Sequence, residues 1–295
     1  MIYNERSLPS DVEDFEKRLS EFSTEDLDKI NAEIAAYQDR VEKQKTEIVT
    51  EQGVEYVDTV SMIDPFLDTE HEDISPLSEY PEGMEFGMIS IPKIGENLPL
   101  YLGASQYNLS LGAAHVEGSD LPMGGKGTRS VISGHRGYYS RPMFLHLDKL
   151  TGYDRIYIYS PVGYLVYEVK DMEEIYPNQT RALDPREGKD FITLLTCTPY
   201  PTNLRRLLVN AERVEGEGGI YYTKEKGITK EVLEERPAIE SLVQEEQGQV
   251  DPEVSRNKTI IYTVAIAGSI LFVFVLVKWV QALKKLIKGD GHEEV

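Results

Sequence analysis

The clearest β pattern in this 295-residue chain is Ile192-Thr-Leu-Leu-Thr-Cys-Thr-Pro-Tyr200, which is followed closely by a second apolar run, Arg206-Leu-Leu-Val209. The residues between the two runs are typical of a turn: Pro199, Pro201 and Asn203. We therefore predict two adjacent antiparallel strands that bring Arg206 back near Cys197. Arg205 would point to the opposite face, because side chains alternate along a strand.

Further short runs with β character cover the middle of the chain. Each is rich in Val, Ile or Tyr and is bounded by Gly, Pro or Asp, which predicts an all-β barrel or sandwich. The predicted strands are 86–91, 98–102, 130–133, 155–160, 164–169, 191–196 and 206–211. A short helix is predicted at Pro142–Leu150, and the chain has no internal repeat.

Residues 1 to about 50 are predicted to be helical. Ser10 with Glu13, and Ser23 with Asp26, have the spacing of an N-terminal capping box. Apolar residues then recur at helical spacing, at Leu27, Ile30, Ile34, Tyr37 and Val41. Two interpretations remain open, an amphipathic helix pair packed on another part of the protein or a solvated helical spacer.

Two polar segments flank the predicted β region. Residues 50 to about 85 are rich in Asp, Glu, Pro and Ser, which predicts either a linker or a functional loop. Residues 215–255 are acidic and partly helical in pattern, and their many Glu and Gln residues predict a solvated connector.

The run 259–277 contains no charged residue and predicts a transmembrane helix. Several lysines follow it and only Arg256 and Lys258 precede it, so the positive-inside rule places the C-terminal tail in the cytoplasm and the larger N-terminal part outside. The first 30 residues contain no apolar export signal. We therefore expect the natural N-terminus, with its export signal, to be missing. A tail-anchored protein facing the cytoplasm is the alternative, which the lysine asymmetry disfavours.

Composition excludes some functions and leaves others open. The net charge of -20, from 51 acidic and 31 basic residues, predicts that the chain does not bind nucleic acid. Cys197 is the single cysteine, so it has no disulfide partner in the chain and no second thiolate for a sulfur-rich metal site. It is either an inert buried residue or a nucleophile. We predict no cofactor and no metal, since no acidic residue stands out as a calcium ligand.

A nucleophilic cysteine needs a proton donor and a group that stabilises an oxyanion. Of the five histidines, His135 lies at the end of the β-type run Val131-Ile-Ser-Gly-His-Arg-Gly137, where sites are commonly built. His115 is the next candidate, and for each the alternative is a histidine satisfied by a backbone partner. Arg206 would stabilise a thiolate or an oxyanion, or else form a surface ion pair.

Three groups of residues together resemble class C sortases, the pilin polymerases of Gram-positive bacteria. They are Ser133-Gly-His-Arg-Gly137, Thr193-Leu-Leu-Thr-Cys-Thr-Pro-Tyr200, and Asn203 with Arg206-Leu-Leu-Val209. The resemblance covers roughly Met84 to Arg213. Within that range it includes the segments 87–95, 121–125 and 144–150. It implies a mainly β fold with a closed eight-stranded sortase-type barrel. It also implies Cys197 as nucleophile, His135 as general acid and base, and Arg206 as stabiliser of substrate and oxyanion.

The tripeptide Asp64-Pro65-Phe66 matches the lid motif of class C sortases. Taken alone, such a tripeptide in a long loop indicates an ordinary turn. The resemblance implies that Asp64 pairs with the catalytic arginine while Phe66 covers the cysteine.

The predicted organisation is an N-terminal helical region (1–50), a lid-bearing loop (51–85), the catalytic barrel (86–214), an acidic connector (215–258), the transmembrane helix (259–277) and a cytoplasmic tail (278–295). By resemblance, the protein cleaves LPxTG-type sorting signals of pilins and joins them to a lysine of the next pilin, with hydrolysis as a side reaction. Its expected partners are pilin subunits and membrane lipid.

Three other functions remain possible. A housekeeping sortase, which anchors surface proteins to the cell-wall precursor, would share the same catalytic residues. A cysteine transpeptidase acting on peptidoglycan cross-links would need a D-amino-acid donor, for which no motif is present. A membrane-tethered pilus scaffold or adhesin domain would need no catalysis.

Overall fold

The computed structural model describes residues 8–46, 62–67, 75–139, 141–186, 188–220, 227–235 and 250–289. They fall into two compact units, one within 1–249 and the other within 250–295. Two of the five histidines, His71 and His292, lie outside the described residues.

The described residues of the first unit form ten strands: β1 (Glu85–Ile91), β2 (Glu96–Leu102), β3 (Ala113–His115), β4 (Thr128–Ser133), β5 (Arg136–Tyr138), β6 (Arg141–Met143), β7 (Arg155–Ser160), β8 (Gly163–Ile175), β9 (Asp190–Thr198) and β10 (Arg205–Ile220). Eight of them form a closed barrel in the order β1-β2-β3-β4-β9-β10-β8-β7, and β5 and β6 form a separate two-stranded sheet. The predicted mainly β fold with a closed eight-stranded barrel is confirmed. The barrel is favoured over the sandwich because β1 also pairs with β7 and so leaves no open edge.

The same unit contains α1 (Leu8–Glu21), α2 (Thr24–Thr46), α3 (Gln106–Leu111) and α4 (Lys230–Glu235). Short 3-10 turns lie at Pro92–Ile94, Leu147–Lys149 and Thr180–Leu183. The helix predicted at Pro142–Leu150 is wrong. Strand β6 occupies its start and pairs with β5, which takes up the backbone groups that a helix would use, and only one 3-10 turn follows.

Helix α2 packs its apolar side against the first unit's barrel. Its five predicted apolar side chains are all buried, in one cluster with Leu77, Phe86 and Leu102. The interpretation as a solvated spacer is therefore wrong, and burial of this stripe stabilises the helix.

Of the two predicted capping boxes, the one at Ser23 and Asp26 is confirmed and the one at Ser10 and Glu13 is not. In the confirmed box, the Ser23 N–H donates to Asp26 Oδ2 at 2.8 Å and the Asp26 N–H donates to Ser23 Oγ at 3.1 Å. Helix α1 already begins at Leu8, so Ser10 lies inside it rather than before it.

The alternation of β9 and β10 places apolar residues inside the barrel and the candidate site outside. Ile192, Leu194 and Val209 belong to the inner core. On the other face, three pairs lie opposite each other across the two strands: Cys197 and Arg206, Leu195 and Leu208, and Thr193 and Asn210. One face of a two-stranded ladder thus carries the reactive pair at one end and a polar pair at the other, with leucines between them.

The second unit is dominated by helix α5 (Pro252–Gly289). Its side chains from Ile270 to Val277 are exposed. Among the residues that the structure describes, no helix is long and apolar enough to cross a membrane. The transmembrane helix predicted at 259–277 is therefore not confirmed.

Candidate active site

Cys197 and Arg206 lie directly opposite each other on β9 and β10, as the predicted hairpin requires. Both are buried, with 7% of Cys197 and 2% of Arg206 exposed. Arg205 points the other way, also as predicted, and pairs with Glu174 at 3.3 Å. The strand register alone therefore selects Arg206, rather than its neighbour, as the guanidinium beside the thiol.

Asp64 forms a buried ion pair with Arg206. Arg206 Nε donates to Asp64 Oδ2 at 2.6 Å, and the two side chains are 3% and 4% exposed. Arg206 Nη1 also donates to the carbonyl oxygens of Asn203 and Arg205, each at 3.0 Å. A buried charge pair of this kind is screened little by water, so removing one partner leaves the other strongly unfavourable.

Phe66 lies over the same group of side chains. Its ring centroid is 5.4 Å from that of His135 and 5.5 Å from the guanidinium carbon of Arg206. The segment is held in place because the Phe66 N–H donates to Asp64 Oδ1 at 2.9 Å and Gln106 Nε2 donates to the Pro65 carbonyl at 2.8 Å. Asp64, Pro65 and Phe66 therefore occupy the space outside Arg206 and His135.

Backbone and side-chain hydrogen bonds hold the His135 segment against β9. The Gly134 N–H donates to the Leu195 carbonyl at 3.1 Å, and Thr196 Oγ1 donates to the Gly134 carbonyl at 2.7 Å. After His135, Arg136 Nη1 donates to Thr198 Oγ1 at 2.6 Å. The residues directly before and after His135 are therefore hydrogen-bonded to β9 on both sides of Cys197.

Gly134 lies so close to the Phe144 ring that only glycine fits at this position. A Cβ atom at Gly134 would lie 2.7 Å from the Phe144 ring, closer than a side chain tolerates. The turn before His135 therefore needs a residue without a side chain.

Tyr138 is a site residue that the sequence analysis missed. Its ring stacks on His135 with centroids 4.7 Å apart and planes inclined by 15°. His135 thus packs against both Tyr138 and Phe66. The sequence signal was weak, a tyrosine three residues after a histidine in a glycine-containing turn, and only the β5–β6 sheet turns it onto the imidazole.

The surroundings shift the pKa values of both Cys197 and His135. Burial raises the pKa of the Cys197 thiol to about 11, Arg206 and Arg136 oppose this, and Asp64 adds to it. Burial, followed by the positive charge of Arg141, lowers the pKa of His135. With Asp64 in place, the cysteine is therefore a neutral thiol near neutral pH.

His115, the second histidine candidate, is not brought to this site. It is fully buried, its Nε2 lies 3.2 Å from the Ser119 carbonyl oxygen, and its ring meets the edge of Tyr37 on α2. Burial lowers its pKa to about 4, so it is neutral at ordinary pH, and a backbone carbonyl is the partner of its Nε2.

No metal site is apparent in the part of the chain that the structure describes, since no three His, Cys, Asp or Glu side chains there converge on one point. The expectation that the protein needs neither metal nor cofactor stays a prediction.

Known proteins share this architecture. The family profile described as "Sortase domain" matches residues 89–214. Among curated proteins, sortase A of Bacillus anthracis is 29% identical over 180 residues, which are 59% of this chain and 83% of that protein.

Solved structures of sortase C enzymes are also similar. The pilus-related sortase C of Group B Streptococcus is 32% identical with a TM-score of 0.58, and the match covers 70% of this chain and 98% of that one. Sortase C-3 of Streptococcus pneumoniae is 33% identical with a TM-score of 0.58, covering 69% and 90%. Since nearly the whole length of these structures is matched by a chain with the same barrel, this protein belongs to the sortase family of cysteine transpeptidases, in the class C group.

Proposed function

We propose that this sortase polymerises pilins, cleaving an LPxTG-type sorting signal and joining it to a lysine of the next subunit, with Cys197, His135 and Arg206 as its catalytic residues. The observation that carries the proposal is the Cys197–Arg206 pair covered by the Asp64–Phe66 segment. It is supported by similarity to a sortase C that is described as pilus-related.

In the first half-reaction, the Cys197 thiol gives its proton to His135, and the resulting thiolate attacks the threonine carbonyl carbon of the sorting signal. A C–S bond forms and the carbonyl oxygen becomes an oxyanion, whose charge Arg206 stabilises. The C–N bond to glycine then breaks, and His135 gives its proton to the departing amine. The product is a thioester between Cys197 and the pilin.

In the second half-reaction, a lysine ε-amine of another pilin attacks the thioester carbonyl. A C–N bond forms, the C–S bond breaks, and His135 takes the proton that the amine loses. Water in place of lysine would give a hydrolysed, unlinked pilin, so a covered site limits this side reaction.

The Asp64–Phe66 segment acts as a lid in this proposal. Asp64 neutralises Arg206, and Phe66 lies beside His135 and Arg206. While the segment stays there, the thiol is neutral and the arginine is occupied, so the donor peptide binds only to the fraction of molecules in which the segment has moved.

Three observations favour this function over two of its alternatives. A housekeeping sortase would use the same three residues, but the pilus-related structural neighbours and the Asp64–Arg206 pair favour the pilin reaction. A purely structural scaffold or adhesin would have no need of a cysteine placed opposite a buried arginine.

We further propose that the enzyme acts at the cell surface. Sortases are generally membrane-anchored enzymes of that surface, and the donor and acceptor pilins meet there. The cytoplasmic location of the C-terminal tail remains a prediction from the lysine distribution.

The test is polymerisation by the purified full chain with candidate pilin subunits, read by denaturing gel and mass spectrometry. We expect a ladder whose links are threonine–lysine isopeptide bonds, and Cys197→Ala should abolish it. Tyr153→Ala, at a residue that is 81% exposed, is the matched control and should leave the ladder unchanged. A ladder that persists in Cys197→Ala, or a product linked to peptidoglycan precursor, would contradict the proposal.

A further inference from the structure

A second polar cluster lies on the same outer face as Cys197, at the far end of the β9–β10 ladder. Its centre is Arg129 on β4, only 3% exposed. Arg129 Nε donates to Thr193 Oγ1 at 2.8 Å, and Nη2 donates to Asn210 Oδ1 at 2.7 Å. A buried guanidinium is costly unless its donors are satisfied, and these two bonds fix it to both strands of the ladder.

The remaining nitrogen of Arg129 binds the connection between β8 and β9. Its Nη1 donates to the carbonyl oxygens of Ala182 and Asp184, each at 2.7 Å. Ala182 lies within the 3-10 turn at Thr180–Leu183, and Asp184 is the residue that follows it. One side chain therefore ties the connection to the barrel wall through its backbone, independently of the side chains that the connection carries.

A second, outer clamp supports the first. Asn210 Nδ2 donates to Asp171 Oδ1 at 2.5 Å, and Asp171 forms a two-point ion pair with Arg186 at 2.7 and 3.0 Å. The connection is thus held at 182 and 184 from inside and at 186 from outside. The two clamps share Asn210, so we expect their effects to be coupled.

The clamped segment reaches from Arg129 to the candidate active site. Leu183 packs with Leu195 and Leu208, the leucine pair that separates the Arg129 cluster from Cys197 and Arg206. Pro177, Thr180 and Leu183 then line one wall of a pocket that Met62, Asp64 and Pro65 line on the other side, beside Arg206. When the Asp64–Phe66 segment leaves, this wall is the surface that a peptide beside Arg206 would contact.

We propose that Arg129 is a positioning residue for the donor peptide, because it fixes the Thr180–Asp184 wall of the groove next to Arg206. This inference rests on the proposed function, since it concerns the peptide that Cys197 attacks. Arg129 touches neither the thiol nor the peptide and acts only through the wall.

Arginine is suited to this role in a way that lysine is not. Its planar group presents several donors in fixed directions and reaches four acceptors at once, whereas an ammonium has three donors on a flexible stem. Burial lowers the pKa of Arg129 to about 10, so it keeps its charge at neutral pH. Arg129→Lys therefore retains the charge and loses the geometry.

The experiment measures cleavage of an LPxTG-type peptide by the full chain and by Arg129→Lys. We expect KM for the peptide to rise about tenfold, the effect of losing a charge-assisted bond, while kcat changes by less than about twofold. Alkylation of Cys197 by iodoacetamide should stay at the wild-type rate. Amide hydrogen exchange within 180–186 should become faster, and a purely structural role would not confine the change to that segment.

Arg186→Gln keeps the test decisive if Arg129→Lys does not fold. Arg186 is partly exposed, and besides the outer clamp its guanidinium lies over the Phe191 ring, so we expect a folded protein with a smaller rise in KM. Arg155→Gln removes an ion pair with Glu217 on another part of the barrel and is the matched control.

Two results would overturn the inference while leaving the proposed function intact. One is cleavage with an unchanged KM in both Arg129→Lys and Arg186→Gln, and the other is an equal rise in KM in Arg155→Gln. The proposed function fails separately, if the wild-type enzyme cleaves the peptide but forms no isopeptide-linked pilins.

Discussion

At the scale of single residues, the site is built from opposed charges around a buried thiol. Arg206 and Arg136 lower the pKa of Cys197, whereas burial and Asp64 raise it. The strand register explains why Arg206 has this role and Arg205 does not. Burial is the main reason that the Cys197 pKa is high, and Asp64 raises it further.

The stacking of Tyr138 on His135 leads to a prediction at this scale. Tyr138→Ala should lower kcat by about threefold to tenfold, the equivalent of one aromatic pair, with little change in KM, because the imidazole loses its fixed orientation. The pKa of His135 should rise toward its ordinary value as water reaches the ring. Steady-state kinetics and an NMR titration of His135 would measure both.

Two variants serve as controls for the stacking prediction. Tyr138→Phe keeps the ring and should restore the wild-type kcat. Tyr153→Ala changes a tyrosine that is 81% exposed in the turn before β7 and should have no effect. Equal kcat values for Tyr138→Ala and the wild type would refute the positioning role of the ring.

At the scale of elements, the segment at 62–67 and the β9–β10 hairpin form one unit in spite of their separation in sequence. The Asp64–Arg206 bond joins residues 142 positions apart. Gln106 at the start of α3 holds the Pro65 carbonyl from the other side. A substitution in residues 62–67 should therefore change the reactivity of the Cys197 thiol directly.

Removing the contacts of the proposed lid should make the thiol more reactive. Asp64→Ala deletes a charge that raises the pKa of Cys197, so the pKa falls and the thiolate fraction at a given pH rises. Phe66→Ala should act in the same direction by opening access to the site. We expect iodoacetamide labelling near pH 8 to become about tenfold faster in Asp64→Ala, with the midpoint of its pH profile moved to lower pH.

Leu67→Ala is the control for this measurement, since Leu67 is 60% exposed beside the same segment. It should label at the wild-type rate. Unchanged labelling in both Asp64→Ala and Phe66→Ala would rule out the segment as a lid.

At the scale of the first unit, helix α2 is part of the folded core rather than an appendage. Ile34 is fully buried in the cluster that joins α2 to Leu77 and Phe86. The helix also holds the loop before β4, because Tyr37 Oη donates to the Ser119 carbonyl at 2.8 Å.

Ile34→Ala should therefore lower the free energy of unfolding by about 2–5 kcal/mol, through lost burial and the cavity left behind. Denaturant unfolding followed by circular dichroism would measure the change. Asp28→Ala, at an exposed position of the same helix, should change it by less than about 0.5 kcal/mol. If both variants unfolded at the wild-type midpoint, α2 would not be part of the cooperative core.

Sequence reasoning succeeded where the information is local. The apolar periodicity of α2, the alternation along β9 and the turn before Arg206 each depend on neighbouring residues, so helix, strand, register and the Cys197–Arg206 pairing follow from them. It failed at Pro142–Leu150, where β5 competes for the backbone, and it missed the short strand β3, whose three residues carry almost no pattern.

The sequence by itself determined the β character of the catalytic region, the facing of Cys197 and Arg206, and a resemblance strong enough to indicate a sortase. Only the tertiary structure decided that Tyr138 stacks on His135, that His115 is buried under α2, and that Arg129 clamps the β8–β9 connection. The physical reason is that periodicity encodes which face a residue occupies. Which residues meet across long separations depends on how the barrel closes and how its connections pack.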